Sequence, residues 1–214
     1  MEITFLQGAV SGTGLTTYTF TAQNLGAAAD DRYIIVCASS RKGGSVATSI
    51  ASVTVGGITA TQVVQATTTS TNSSVAGIYI AAVPTGTTGD VVVNFIVNQT
   101  RAGIALYRAT DINPIATFTS TSNNNVPISS ATVLTNGILV GAGTGSSTTS
   151  PSITGLVADF DSSISGGGRI ISATAKSLGQ QAGRSLSVGF ASNENVGVFA
   201  AFRPQSQAKF IAFF

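Results

Sequence analysis

Apolar positions in this chain recur in short runs, often at every second residue, and Gly, Pro, Thr and Asn separate the runs. Ala76 to Ala109 shows the pattern best, with runs at Gly77–Val83, Asp90–Val97 and Gly103–Arg108. Successive side chains of a strand point to opposite faces. Val91, Val93, Phe95 and Val97 are therefore expected to face a core. Val92 and Ile96 make the other face partly apolar, as expected where something covers it. Between the first two runs, Pro84 fixes φ, and Gly86 and Gly89 permit positive φ, which reads as a turn. No segment sustains apolar residues at i, i+3, i+4 and i+7 over three turns. The expected fold class is all-β: a single two-sheet antiparallel β-sandwich of about ten to twelve strands.

The other expected strands are Glu2–Leu6, Thr16–Ala22, Arg32–Ala38, Ile50–Val55 and Ile58–Gln65, followed later by Ala116–Ser120, Ala131–Thr135, Gly137–Ala142, Ile153–Phe160, Arg169–Ala175, Ser185–Ala191 and Val196–Phe202. Arg32–Ala38 is nearly continuous in apolar residues, which marks a central strand covered on both faces. Gly56-Gly57 is a strong two-residue hairpin signal. Ser39–Ser45, Thr67–Ser74, Thr121–Asn125 and the low-complexity Gly143–Ser152 read as loops.

The halves of the chain resemble each other in order. TYTFT at Thr17–Thr21 pairs with ATFTS at Ala116–Ser120. YIIVCASS at Tyr33–Ser40 pairs with GILVGAGT at Gly137–Thr144, and Gly77–Val83 with Arg169–Ala175. Asp90–Val97 followed by AGIALYR pairs with Arg184–Ala191 followed by VGVFAAFR. An internal duplication is one explanation; the other is that runs of strands look alike at this level. Either way a continuous body over residues 1–204 is expected, because half the chain alone would have a marginal core.

Composition narrows the chemistry. Of 214 residues, 43% are hydrophobic but only 8% are charged, against about 25% charged in an ordinary soluble domain. Such a surface suits a chain that lives inside an assembly. The net charge is +2 with the basic residues scattered, so the clustered stripe of a nucleic-acid reader is missing. No apolar run is long enough for a transmembrane helix, and the N-terminus lacks the layout of a secretory signal. Without histidine, neither a Ser-His-Asp triad nor a Cys-His nucleophile can form. Zinc lacks its usual ligands. The lone Cys37 sits in an apolar strand and is expected to be buried and inert.

Paired carboxylates are the remaining candidates. Asp159 and Asp161 fall on one face of a strand, and Asp30 and Asp31 are adjacent in a loop. Either pair offers oxygen ligands for calcium, while Asx turns and caps are the plainer use. No cofactor and no enzymatic activity are expected. Gly166-Gly167-Gly168 opens no helix and reads as a turn rather than a phosphate cradle. Tyr18, Tyr33, Tyr79 and Tyr107 fall mostly in strand runs, as core residues with the hydroxyl at the rim. Arg108 and Arg203 lie at matching ends of the two half-units. After Pro204, residues 205–214 form a separate apolar tail; Phe210, Ile211, Phe213 and Phe214 are the expected partner interface, since such a segment is not left in water.

Several stretches together carry a resemblance: DRYIIV at Asp31–Val36, VTVGGITAT at Val53–Thr61, VPTG at Val83–Gly86, VVV at Val91–Val93 and AAFRP at Ala200–Pro204. They resemble jelly-roll-type β-sandwich modules of the structural proteins of tailed bacteriophages, which also occur in bacterial surface proteins. The resemblance implies a non-enzymatic virion protein with no catalytic residues to transfer. A module starting at Met1 without a leader favours a virion component over a secreted adhesin. The expected role is a capsid decoration (cement) protein on the particle exterior, holding the major capsid protein or other virion proteins. A tail or head fibre module binding host-surface glycans is the alternative. A homo-oligomer, with a trimer favoured, assembled in the host cytoplasm is expected, without nucleic acid or membrane as partner.

Val93→Asp or Ile35→Asp is expected to prevent folding, because each buries an unpaired charge at a cost of several kcal/mol or more. Soluble protein that still melts cooperatively would refute the face assignment.

Overall fold

The computed structural model describes residues 1–123, 128–147, 149–164, 167–191 and 194–205. The first half contains β1 (Glu2–Ser11), β2 (Leu15–Asn24), β3 (Tyr33–Gly43), β4 (Ile50–Val55), β5 (Ile58–Thr59), β6 (Thr61–Thr69), β7 (Asn72–Ala82), β8 (Thr88–Gln99) and β9 (Arg101–Thr110). These make a five-stranded sheet, β1-β9-β3-β7-β6, and a four-stranded sheet, β2-β8-β4-β5. The second half contains β10 (Phe118–Asn123), β11 (Ile128–Val133), β12 (Gly137–Ser146), β13 (Ser152–Thr154), β14 (Val157–Ile164), β15 (Gly168–Leu178), β16 (Gln181–Gly189) and β17 (Asn195–Phe202). Its sheets run β10-β17-β12-β15-β14 and β11-β16-β13. Pairings are antiparallel throughout.

The all-β, sandwich-like expectation holds, but the described residues build four sheets and 17 strands where two sheets and fewer strands were expected. The sheets stack in four layers with three cores between them. The first core joins Tyr18, Phe20, Val53, Val91, Val93 and Phe95 of the outer sheet to Ile34, Val36, Tyr79, Ile104 and Leu106. The middle one, a seam between the two five-stranded sheets, joins Ile35, Cys37, Ile78, Ile80, Ala105 and Tyr107 to Ile138, Val140, Val198, Ala200 and Phe202. The third joins Leu139, Phe199 and Ala201 to Ala131, Val133, Leu186 and Val188. This layering is the physical reason for the unbroken apolar runs. Alternate residues of β3, β12 and β17 serve two different cores, so no face is left for polar side chains. In β8, Val91, Val93 and Phe95 are buried as expected and Val97 is half-buried. The opposite face is uncovered, and Ile96 is 55% exposed.

The halves repeat each other strand for strand. Lettering eight positions a to h, each half orders its large sheet a-h-c-f-e and its small sheet b-g-d, with β5 an extra strand beside d in the first half. Three of the four sequence pairings join equivalent strands: β3 with β12, β7 with β15, and β8–β9 with β16–β17. The fourth fails, since Thr17–Thr21 lies in β2 while residues 116–120 lead into β10. The YIIVCASS pairing is also one residue out of register. Ile35 and Ile138 both face the seam, whereas matching Tyr33 to Gly137 would set Ile34 against Ile138 and put equivalent residues on opposite faces. Across the seam each strand contact has its counterpart. β12 lies on β7 as β15 lies on β3, β17 on β6 as β14 on β9, and β10 on β6 as β14 on β1, while β3 meets β12 like with like. That is the self-complementary pattern of a two-fold interface, made here within one chain.

Three expected loops are strand. Residues 39–43 continue β3, with Ser39, Ser40 and Arg41 buried. Residues 67–74 are mostly the paired ends of β6 and β7. Residues 143–146 continue β12, with Gly143, Thr144 and Gly145 buried. Residues 121–123 complete β10, and the rest of that expected loop, residues 124 and 125, lies outside the described residues. Conversely, two expected single strands change layer midway. Ile58–Gln65 divides at Ala60 into β5 and β6, and Ile153–Phe160 divides at Gly155 into β13 and β14. Gly155 has φ of 80°, and a Cβ there would lie 2.3 Å from the Ser185 carbonyl oxygen, so the crossing requires glycine. The Gly56-Gly57 hairpin forms with positive φ at both residues, as a type I′ turn demands.

Small residues in β12 are small because their neighbours are large. A Cβ on Gly145 would meet Phe190 Cγ and Asn195 Cβ, each at 2.7 Å. The loop expected over Gly143–Ser152 is therefore tightly packed at this end. Gly145→Val is expected to lose about 1–3 kcal/mol by overpacking. Gly179→Ala, with open space around its Cβ, should stay within about 0.5 kcal/mol of the parent. Urea unfolding of the two variants checks both values; equal midpoints would refute the packing.

Candidate functional site

Of the candidate carboxylates, Asp159 and Asp161 are separated rather than paired. A β-bulge between Ala158 and Phe160 breaks the alternation that would have put Asp159 and Asp161 on one face. Asp159 Oδ2 accepts from Tyr107 Oη at 3.1 Å and from Thr174 Oγ1 at 2.7 Å, and Ser172 Oγ lies 2.8 Å from the same Tyr107 hydroxyl. Asp161 instead accepts from Arg169 Nη2 at 2.9 Å in a two-point ion pair. Asp31 accepts the Asp111 amide at 2.8 Å, and Asp30 is exposed beside it. Asp159 and Asp161, held by different partners, do not converge on a point where calcium would sit. Among the described residues no group of three potential metal ligands comes together.

Tyr107 and its partners tie the two halves through the middle of the seam, since Tyr107 belongs to β9 and Asp159, Ser172 and Thr174 to β14 and β15. Burial, with Cys37 and Asp159 nearby, pushes the Tyr107 hydroxyl pKa up, so it stays protonated and able to donate. Cys37 is 3% exposed in the central strand β3, and burial raises its thiol pKa far above the usual range. Tyr18 and Tyr79 are buried as well; Tyr79 donates to Gln65 Oε1 at 2.9 Å and Tyr18 to the Thr13 carbonyl at 2.7 Å. Gly167, with φ of 81°, sits in the turn before β15.

The site that sequence reasoning missed is Arg32. It is 1% exposed, and all five of its donors meet carbonyl oxygens. Nε donates to Val83 at 2.5 Å, Nη1 to Leu25 at 3.2 Å and Gly26 at 2.8 Å, and Nη2 to Thr85 at 2.6 Å and Gly86 at 2.7 Å. The guanidinium thus stitches the β2–β3 connection to the β7–β8 turn. Burial, and then the nearby Arg108, lowers its pKa from the ordinary arginine value. Arg108 donates to the Ala27 carbonyl at 2.9 Å, while Arg203 is exposed. A charge directly before an unbroken apolar run was the one available signal for Arg32.

An apolar groove of about 370 Å³ runs along the connection between the halves, lined by Tyr33, Ile58, Ile80, Pro114 and Ile115. Ile115 is 76% exposed there. The expected interface residues Phe210, Ile211, Phe213 and Phe214 lie outside the described residues; the described chain reaches Gln205, whose amide donates to the Asp111 carbonyl at 3.0 Å. No family model, curated protein or solved structure matches this chain.

Replacing Arg32 tests the carbonyl cage. Arg32→Met leaves five acceptors to find water, at about 1–3 kcal/mol for each one that stays buried and unpaired. A loss of several kcal/mol in urea unfolding is expected, with new protease cleavage in residues 24–31. A variant as stable and as resistant as the parent would show that the cage is dispensable.

Proposed function

We propose that this chain is a non-enzymatic structural component of a bacteriophage virion, a decoration protein that sits on the exterior of the head and holds neighbouring capsid subunits. The strand order carries this reading. In each half a-h-c-f stands against b-g-d, which is the order of a jelly roll except that strand e joins f instead of d. In the first half β5 occupies the usual place of e before the chain crosses to β6. Jelly rolls are a common architecture of viral coats, although fold alone does not fix function. The sparse charge and the sequence resemblance point the same way.

Residues Phe210, Ile211, Phe213 and Phe214 are assigned in this proposal to the contact with a neighbouring copy or with the major capsid protein, in a homo-oligomer for which a trimer is the favoured state. Burying three Phe would contribute about 1.5–3 kcal/mol each, offset by about 1–2 kcal/mol per ordered residue. The margin is narrow, so the segment would hold only in a preformed groove. Removing residues 209–214 is expected to leave the melting temperature unchanged and to weaken sedimentation as an oligomer or co-purification with particles. Densitometry of purified virions should show capsid-scale copy number. Tail-scale copy number would favour a fibre module instead, and absence from the particle would sink the proposal.

A further inference from the structure

At the end of the seam, Arg41 on β3 stands directly opposite Arg101 on β9. Like charges across a strand pair repel, and both residues are buried, at 8% and 9% exposure. Their neutralisation is poor. Arg41 Nη2 reaches Glu194 Oε2 at 3.4 Å, but that carboxylate accepts more closely from Asn72 Nδ2, at 2.6 Å. Arg41 Nη1 donates to the Gly167 carbonyl, at a long 3.4 Å. Among the described residues Arg101 has no ion pair. Arg41 Nε and Arg101 Nε and Nη1 are buried with no hydrogen-bond partner among the described residues. The fold does not demand this arrangement: the equivalent positions in the second half carry Thr144 opposite Val196, an uncharged pair.

We propose that Arg41 and Arg101 together bind a small tetrahedral oxyanion of the phosphate or sulfate class. Buried donors that lack protein partners are filled by an ion or water, and the charge of two guanidinium groups against one shared carboxylate selects the ion. Three free donors spread over two guanidinium groups suit an anion with more than two acceptor oxygens, and guanidinium forks match such oxyanions. Because the donors are screened from solvent, the site fits a free anion rather than a polymer backbone. Gly168 lets the Arg101 side chain lie against the turn: a Cβ there would sit 2.8 Å from Arg101 Cδ. The β3 chain reaches solvent two residues on, at the exposed Gly43, so the pair lies near the surface end of the seam. Once bound, the anion clamps the first half's β3 and β9 to the turn preceding β15.

The test uses the full chain in chloride buffer at constant ionic strength, titrated separately with phosphate and with sulfate. The melting temperature is expected to rise with anion concentration and saturate, as binding to the folded state alone requires. In ¹⁵N-arginine spectra, the Nε–H signals of Arg41 and Arg101 should move with the same half-saturation, while that of the carbonyl-bound Arg32 stays fixed. Arg101→Met should abolish the melting response and, without anion, melt no lower than the parent. If that variant does not fold, the Nε–H signals of the parent decide. Unmoved Arg41 and Arg101 signals, or a response that persists in Arg101→Met, would mean that water fills the site and would overturn the proposal.

Discussion

The structure depends on one constraint: two five-stranded sheets, each apolar on both faces, have to be covered twice. A sheet covered on one face alternates apolar and polar residues along each strand. β3, β12 and β17 do not alternate, so neither inner sheet could face water after folding with its own small sheet. Each supplies the other's second cover, and the seam at Ile35, Ile78, Val140 and Phe202 results. Burying such side chains contributes about 1.5–3 kcal/mol apiece, which makes the seam as much a core as the two sandwiches beside it. Among the described residues one polar cluster crosses its middle, and there the Tyr107 hydroxyl is matched by Asp159 and Ser172, as burial of polar groups requires.

Much of the secondary structure could be read from the chain because period-two runs and Gly-Gly or Pro turns have local causes. Val91, Val93 and Phe95 face a core for the reason their spacing implies, and Cys37 is buried where its apolar run puts it. What could not be read was which element covers which. The double covering of Arg32–Ala38 was visible in its composition, but a sequence does not say that the second cover is a copy of the same sheet. The Gly/Ser/Thr stretch at 143–147 misled for a related reason. Its residues are small to admit Phe190 and Asn195, and a packed strand of small residues has the composition of a loop.

The candidate sites were harder still, because they depend on distances between separate strands. Asp159 and Asp161 look paired until a one-residue bulge sends them to different partners. Arg41 reads as a solvated turn residue beside Lys42, yet the extension of β3 carries it under the second half. Arg32 is the opposite case, a buried cation with no carboxylate partner among the described residues. Its charge is met by five peptide dipoles, which salt screens far less than it screens exposed ion pairs.

The near two-fold relation across the seam also bears on valency. A true homodimer built on this interface would present every off-axis feature twice and look the same from either end. Here the two sides have diverged within one polypeptide. One outer layer has four strands and the other three, and Arg41 opposite Arg101 has no twin. The stack is therefore directional: it has two distinguishable ends and carries the Arg41–Arg101 pair once. A particle of this kind can lie one way up on a surface, which a symmetric pair cannot do.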